Sequence, residues 1–160
     1  LYEVVDAKNT EALAAELSHQ LPTFRDLMQR NPTHIDSHQH VHRSGSTRSL
    51  LVQIAQQLDV PLRDASQKVR YYGDFYGQTG EGTSLPDNIT TDAFIRILDK
   101  LPLGFTELGC HPASEIDLDT MYRDERLQEL NVLCNPRTRA SIQEMNIELC
   151  SFHKFSELQQ

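Results

Sequence analysis

The sequence predicts an α/β fold with parallel strands, because helix-period and strand-period segments alternate along its 160 residues. Three observations carry this. Apolar residues recur at three- and four-residue steps in several separate segments. Short β-like runs lie between those segments. Gly and Pro punctuate the boundaries.

The first helix is expected from about Asn9 to Arg30, with Leu13, Leu17, Leu21, Phe24 and Met28 on one face and Asn9 or Thr10 as cap. Pro22 lies inside it and should kink or split it, and Asn31-Pro32 stops it. A strand is expected next, over Thr33–His42. A second helix comes after it, capped by Ser46 or Thr47, with Leu50, Leu51, Ile54 and Leu58 inward and Asp59-Val60-Pro61 ending it. Leu62–Asp64 reads as a short strand, and residues 71–90 as a long Gly-containing surface loop. A third helix is expected over Thr91–Leu101, with Phe94, Ile95, Leu98 and Leu101 facing in. Gly104–Cys110 reads as a strand ended by His111-Pro112, and a helix spans about Tyr122–Leu133. Asn135 followed by Pro136 is the pattern of an N-cap and first helical residue. Asn146–Ser151 reads as a last strand. There is no internal repeat and no composition break, so one domain over residues 1–160 is expected.

The formal charge of −8 comes from 15 basic and 23 acidic residues without a basic patch, which argues against nucleic acid and anionic membranes as partners. No apolar run approaches the ~18 residues of a membrane span. Cys110, Cys134 and Cys150 are odd in number and form no CxxC pair, so a reducing, cytoplasmic compartment is expected. The chain opens on Leu1-Tyr2-Glu3-Val4-Val5 without a signal-peptide pattern or a Met, which raises the expectation of a piece of something longer.

The segment richest in chemistry is Pro32-Thr33-His34-Ile35-Asp36-Ser37-His38-Gln39-His40-Val41-His42. On a strand, His34, Asp36, His38, His40 and His42 share one face. Same-face neighbours stand ~6.5–7 Å apart, so at most two of them reach one ion with bonds of ~2.0–2.1 Å. The rest would support the ligands or meet substrate. A polar, solvent-facing strand is the plainer alternative. His111 ends the Gly104–Cys110 strand, where α/β folds place their sites, although a histidine ring in solvent accounts for it equally. Cys110 and His111 point to opposite sides and do not make a nucleophile–base pair. Aromatic residues alternate with glycines in Tyr71–Gly77, which suits contact with sugar rings or ordinary loop packing. Gly77–Gly82 lacks the Lys-Ser/Thr of a phosphate-binding loop and reads as flexible, and Glu115, Asp117 and Asp119 as a solvated acidic stretch.

Taken together, Pro32–His42, Thr106-Glu107-Leu108-Gly109-Cys110-His111-Pro112-Ala113 and, more weakly, Asp74-Phe75-Tyr76-Gly77 resemble the motifs of the YdjC-like (ChbG) carbohydrate deacetylases. The resemblance covers nearly the whole chain. It implies a partial (β/α) barrel, TIM-barrel-like and related to other polysaccharide deacetylases, that removes acetyl groups from N-acetylated mono- or oligosaccharides with a divalent metal, Mg²⁺ or Zn²⁺. It implies His38 as metal ligand, with His40 the candidate second, and His111 as general acid. Asp36, His34 and His42 would support the ligands, and Arg63, Phe75 and Tyr76 would line the sugar site. The family's amino-terminal Asn-Ala-Asp-Asp-Phe-Gly type motif has no counterpart, since the sequence contains no Asp-Asp pair. The chain is therefore expected to be the carboxyl-terminal portion of such an enzyme, with the amino-terminal strands missing and full activity lacking. An exposed strand edge would then favour a homodimer or higher oligomer. A non-catalytic metal- or carbohydrate-binding module and an amidohydrolase-type enzyme are the competing readings.

Overall fold

The computed structural model describes residues 9–43, 45–65, 68–115, 119–152 and 154. Its contacts divide the chain into two compact units, Leu1–Gln67 with Cys150–Gln160, and Lys68–Leu149.

In the first unit, α1 spans Thr10–Met28, and Asn9 caps it by accepting a hydrogen bond from the Ala12 N–H. The helix runs unbroken through Pro22. Leu13, Leu17, Leu21 and Phe24 are half-buried as the spacing predicts, whereas Met28 is exposed. Helix α2 spans Gly45–Leu58, so Thr47 lies inside it and is buried rather than capping it. Leu51 and Ala55 of α2 form a small core with Leu62, and Leu17, Ile35, Val52 and Ala65 pack around it.

The strand expected over Thr33–His42 does not form. Only Ile35 pairs, in a single parallel bridge to Leu62, and His38–Arg43 is a 3₁₀ helix. Local hydrogen bonding decides this: the Ser37 N–H donates to Asp36 Oδ1 at 2.7 Å, and the His42 N–H donates to Ser37 Oγ at 3.2 Å. Short polar side chains that serve the backbone in this way compete with a strand ladder. His40 also sits at a φ of 53°, a left-handed conformation that no strand accommodates. Leu62–Asp64 likewise contributes one bridge residue rather than a strand.

In the second unit, β1 (Val69–Tyr72) and β2 (Phe105–Leu108) form a two-stranded parallel sheet with Val69 opposite Phe105 and Tyr72 opposite Leu108. β1 falls at the edge of the region read as loop; Val, Tyr and Tyr are favourable strand residues. Helix α3 (Thr91–Asp99) is the crossover that parallel pairing requires. Thr90 caps α3, and Ala93, Phe94, Ile97 and Leu98 are buried, with Ile97 taking the inward place expected of Ile95. α4 (Asp124–Leu133) and α5 (Pro136–Glu144) complete the layer, and Asn135 caps α5 by accepting from the Arg137 N–H. The core is Phe75, Ile89, Phe94, Ile97, Leu98 and Val132. Asn146–Ser151 is not a strand; Ile147 folds back, donating its N–H to Ile142 O, and packs on this core.

Nor is the Gly77–Gly82 segment a loose loop. Gln78 bridges Ser84, and the Leu85 N–H donates to Gly77 O. The buried Glu125 carboxylate accepts from Gln78 Nε2 at 3.0 Å and from Ser84 Oγ at 3.1 Å. Among the described residues no helix is long and apolar enough to cross a membrane.

Candidate functional site

The Ile35–Leu62 bridge lays two short segments side by side: the Ile35 N–H donates to Pro61 O and the Arg63 N–H to Ile35 O, both at 2.9 Å. The residues just beyond each segment then converge. Ligand atoms of His40, His42 and Asp64 all lie within 4.8 Å of one another. His40 and Asp64 both hold left-handed backbone, at φ values of 53° and 48°. Such conformations cost about 1–3 kcal/mol and persist only where surrounding structure enforces them.

His42 is fully buried. Its Nδ1 lies 2.5 Å from Ser37 Oγ, while its Nε2 is buried without a hydrogen-bond partner among the described residues. Burial, and secondarily the neighbouring His40, holds the His42 imidazole below its ordinary value of 6.5, against the opposing pull of Asp64, the Arg63 backbone and Asp36. The ring is therefore neutral at pH 7. The Arg63 backbone stands near the ring, but no well-formed hydrogen bond satisfies the buried Nε2, and a bound ion would offset that cost. Two imidazoles and a carboxylate suit a divalent cation such as Zn²⁺, whose bonds of ~2.0–2.2 Å span ligand pairs up to ~4 Å apart, so a small closing of the three groups suffices. The residues present thus fit a divalent metal. Arg43 Nε lies 3.3 Å from Asp64 Oδ2 and holds that carboxylate in place.

The other residues of the histidine segment lie elsewhere. His38 is exposed and outside the cluster. The His34 ring stacks on Phe152 with centroids 4.2 Å apart, and its Nδ1 meets Thr33 Oγ1. Asp36 accepts from Arg63 Nη1 at 2.7 Å, so these two, assigned to histidine support and to sugar, engage each other.

A second cluster lies at the end of β2. The His111 N–H donates to Glu129 Oε2, and His111 Nδ1 lies 3.9 Å from Glu129 Oε1. The Tyr122 hydroxyl donates to Glu129 Oε1 and accepts from the Gly77 N–H at 2.8 Å. Burial, reinforced by the hydrogen bond to Glu129, raises Tyr122 far above the ordinary phenol value. Tyr76 stacks on Tyr122 at 4.5 Å, and His111 meets both rings edge-on at 5.5 and 5.7 Å. Tyr76, expected to meet sugar, thus stands beside His111. Phe75 does not: it has no exposed surface, and its ring packs edge-on against Phe94 at 4.8 Å. It is a core residue, with no face to offer a sugar.

Asp64, Ser37, Tyr122 and Glu129 escape the sequence reading. The sequence holds one trace of Glu129: with Glu125 and Val132 it fits the i, i+4, i+7 spacing of an inward stripe, and these three are the buried residues of α4.

A unit with a parallel β1–β2 pair and a unit with a two-histidine, one-carboxylate cluster together define a mixed α/β protein with a candidate metal site. More particularly, the chain belongs to the YdjC-like protein family, whose model matches residues 2–144. It is 33% identical over 140 residues to a carbohydrate deacetylase of Geobacillus stearothermophilus, covering 79% of this chain and 53% of that one. It is 29% identical to a chitooligosaccharide deacetylase of Yersinia enterocolitica, covering 90% of this chain and 61% of the relative. The chain thus spans between half and two thirds of the length of these relatives. Its fold resembles a crystal structure, provisionally named a cellobiose-phosphate cleavage protein, from Enterococcus faecalis V583. The TM-score is 0.72 at 24% identity, covering 92% of this chain and 61% of that one.

Proposed function

We propose that this chain is part of a metal-dependent hydrolase that removes acetyl groups from N-acetylated sugars. The observation that carries this is the buried His42 Nε2 beside His40 and Asp64, in a chain whose relatives bear deacetylase names. In this reading His40, His42 and Asp64 hold a divalent ion, Zn²⁺ or Mg²⁺, which when bound supplies a Lewis acid for the acetamide carbonyl and an activated water. Neutral His42 presents Nε2 to the ion while Ser37 fixes the opposite edge of the ring. His111 acts as general acid, delivering a proton to the departing sugar amine. Tyr76 offers an aromatic face for the C–H side of a sugar ring.

We take the chain to be the carboxyl-terminal portion, within one domain, of a (β/α) barrel of the polysaccharide-deacetylase type. The partial coverage of its relatives and the parallel β1–β2 pair support this. The same partial coverage favours reduced activity in the isolated chain, and a metal- or carbohydrate-binding module is the second reading. Among the described residues the sheet has two strands and so two outer edges, which supports a homodimer or higher oligomer, and light scattering at high protein concentration tests it. A cytoplasmic setting completes the proposal, supported by the three cysteines without a CxxC pair, with neither nucleic acid nor membrane as partner, which the net charge of −8 supports.

The functional test is acetate release from an N-acetylated chitooligosaccharide with Zn²⁺ or Mg²⁺. Metal-dependent release that is lost in His42→Ala and His111→Ala supports the deacetylase. Metal binding with no release at any metal concentration favours the binding module.

A further inference from the structure

We infer that Glu129 is a positioning residue for His111, holding the imidazole with Nδ1 inward and protonated so that Nε2 is the nitrogen offered outward. The inference rests on the role of His111 in the deacetylase reading, but its test needs no turnover.

Glu129 is fully buried, and carboxylates are rarely buried without partners that require them. Both of its oxygens are engaged as acceptors. Oε2 accepts the His111 backbone N–H, which fixes where the chain leaves β2. Oε1 accepts the Tyr122 hydroxyl and lies 3.9 Å from His111 Nδ1. That separation is too long for a direct hydrogen bond. A buried carboxylate at that range still favours the tautomer whose N–H points toward it.

Two further contacts keep the arrangement in register. The phenol of Tyr122 stays protonated and receives the Gly77 N–H at 2.8 Å, so it serves Glu129 as a donor without competing as an anion. The Tyr76 and Tyr122 rings, stacked on each other, both meet the His111 ring edge-on and set its plane. The His111 side chain is 46% exposed, so its outer edge is accessible while its inner edge faces the carboxylate. This is the division of labour between an orienting carboxylate and a proton-carrying histidine: Glu129 touches His111 and not the substrate.

The test is a long-range proton–nitrogen correlation spectrum of the ¹⁵N-labelled chain at mildly alkaline pH, with the His111 ring assigned by its absence in His111→Ala. The wild type is expected to show the Nδ1–H tautomer. Glu129→Gln removes the charge at nearly constant shape, and the Nδ1–H to Nε2–H ratio should fall about fivefold or more. Tyr122→Phe keeps the carboxylate, and the ratio should hold. An unchanged ratio in Glu129→Gln with a wild-type circular dichroism spectrum overturns the inference. If Glu129→Gln does not fold, an Nε2–H tautomer in the wild type overturns it, and an Nδ1–H tautomer kept in Tyr122→Phe supports it. A wild-type protein that releases no acetate would count against the functional reading and leave the tautomer result standing.

Discussion

Phe75→Ala separates a core role from a sugar-binding role. The Phe75 ring is fully buried, lies edge-on to Phe94 at 4.8 Å, and shares its core with Ile89, Ile97, Leu98 and Val132. Removing such a ring forfeits its transfer free energy and leaves a cavity, about 3–5 kcal/mol in all. The edge-on pair accounts for about 0.5–1.5 kcal/mol of that beyond its area. At about 2–4 °C per kcal/mol for a chain of this size, the midpoint of thermal unfolding should drop by roughly 6–20 °C. Circular dichroism on heating measures the drop, and calorimetric titration with an N-acetylated oligosaccharide measures binding at a temperature where the variant is folded. A midpoint within about 2 °C of wild type together with weakened saccharide binding would refute the core assignment.

The same contacts set three further outcomes. Ser37→Ala removes the group facing His42 Nδ1 and should weaken metal affinity about 10–100-fold, measured by competition with a chelator. Tyr122→Phe deprives the Gly77 N–H and Glu129 of a partner and should cost about 1–3 kcal/mol in urea unfolding at pH 7. Because the folded-state value of Tyr122 is raised, its contribution is complete below the unfolded value of 10.0 and is lost as pH rises through the folded one, so the difference between variant and wild type should shrink in alkali. Burial alone would raise the Glu125 carboxyl, but hydrogen bonds from its own backbone, Gln78 and Ser84 outweigh this and hold it below its ordinary value. Its contribution is therefore present above the unfolded value of 4.5 and lost as pH falls through the folded one, and Glu125→Gln should flatten the acid limb of the stability profile.

The helices were legible in the sequence because their signals are local. Asn9 and Asn135 each cap the next helix along the chain, and the apolar spacing finds most of the inward face of α1 and α3, missing at Met28 and Ile95. The histidine segment misleads for an equally local reason. Its alternation mimics a strand, but the left-handed His40 breaks an extended run, and the Ser37 hydroxyl serves the backbone of a 3₁₀ turn instead. The alternation then no longer selects a face, and His42 rather than His38 joins His40. Asp64 could not be read at all, because only the Ile35–Leu62 bridge brings it near the histidines. Glu129 was not legible because glutamates are ordinarily solvated and are buried only with partners that a local pattern does not show. On α4 the buried stripe is Glu125, Glu129 and Val132, while Leu127 is exposed.

The most direct test of the candidate metal site is calorimetric titration of the metal-free chain with Zn²⁺, comparing wild type with His42→Ala, Asp64→Asn and His38→Ala. The cluster of His40, His42 and Asp64 predicts one tight site that is lost in His42→Ala and Asp64→Asn and kept in His38→Ala. Binding that survives in His42→Ala and vanishes in His38→Ala would contradict it.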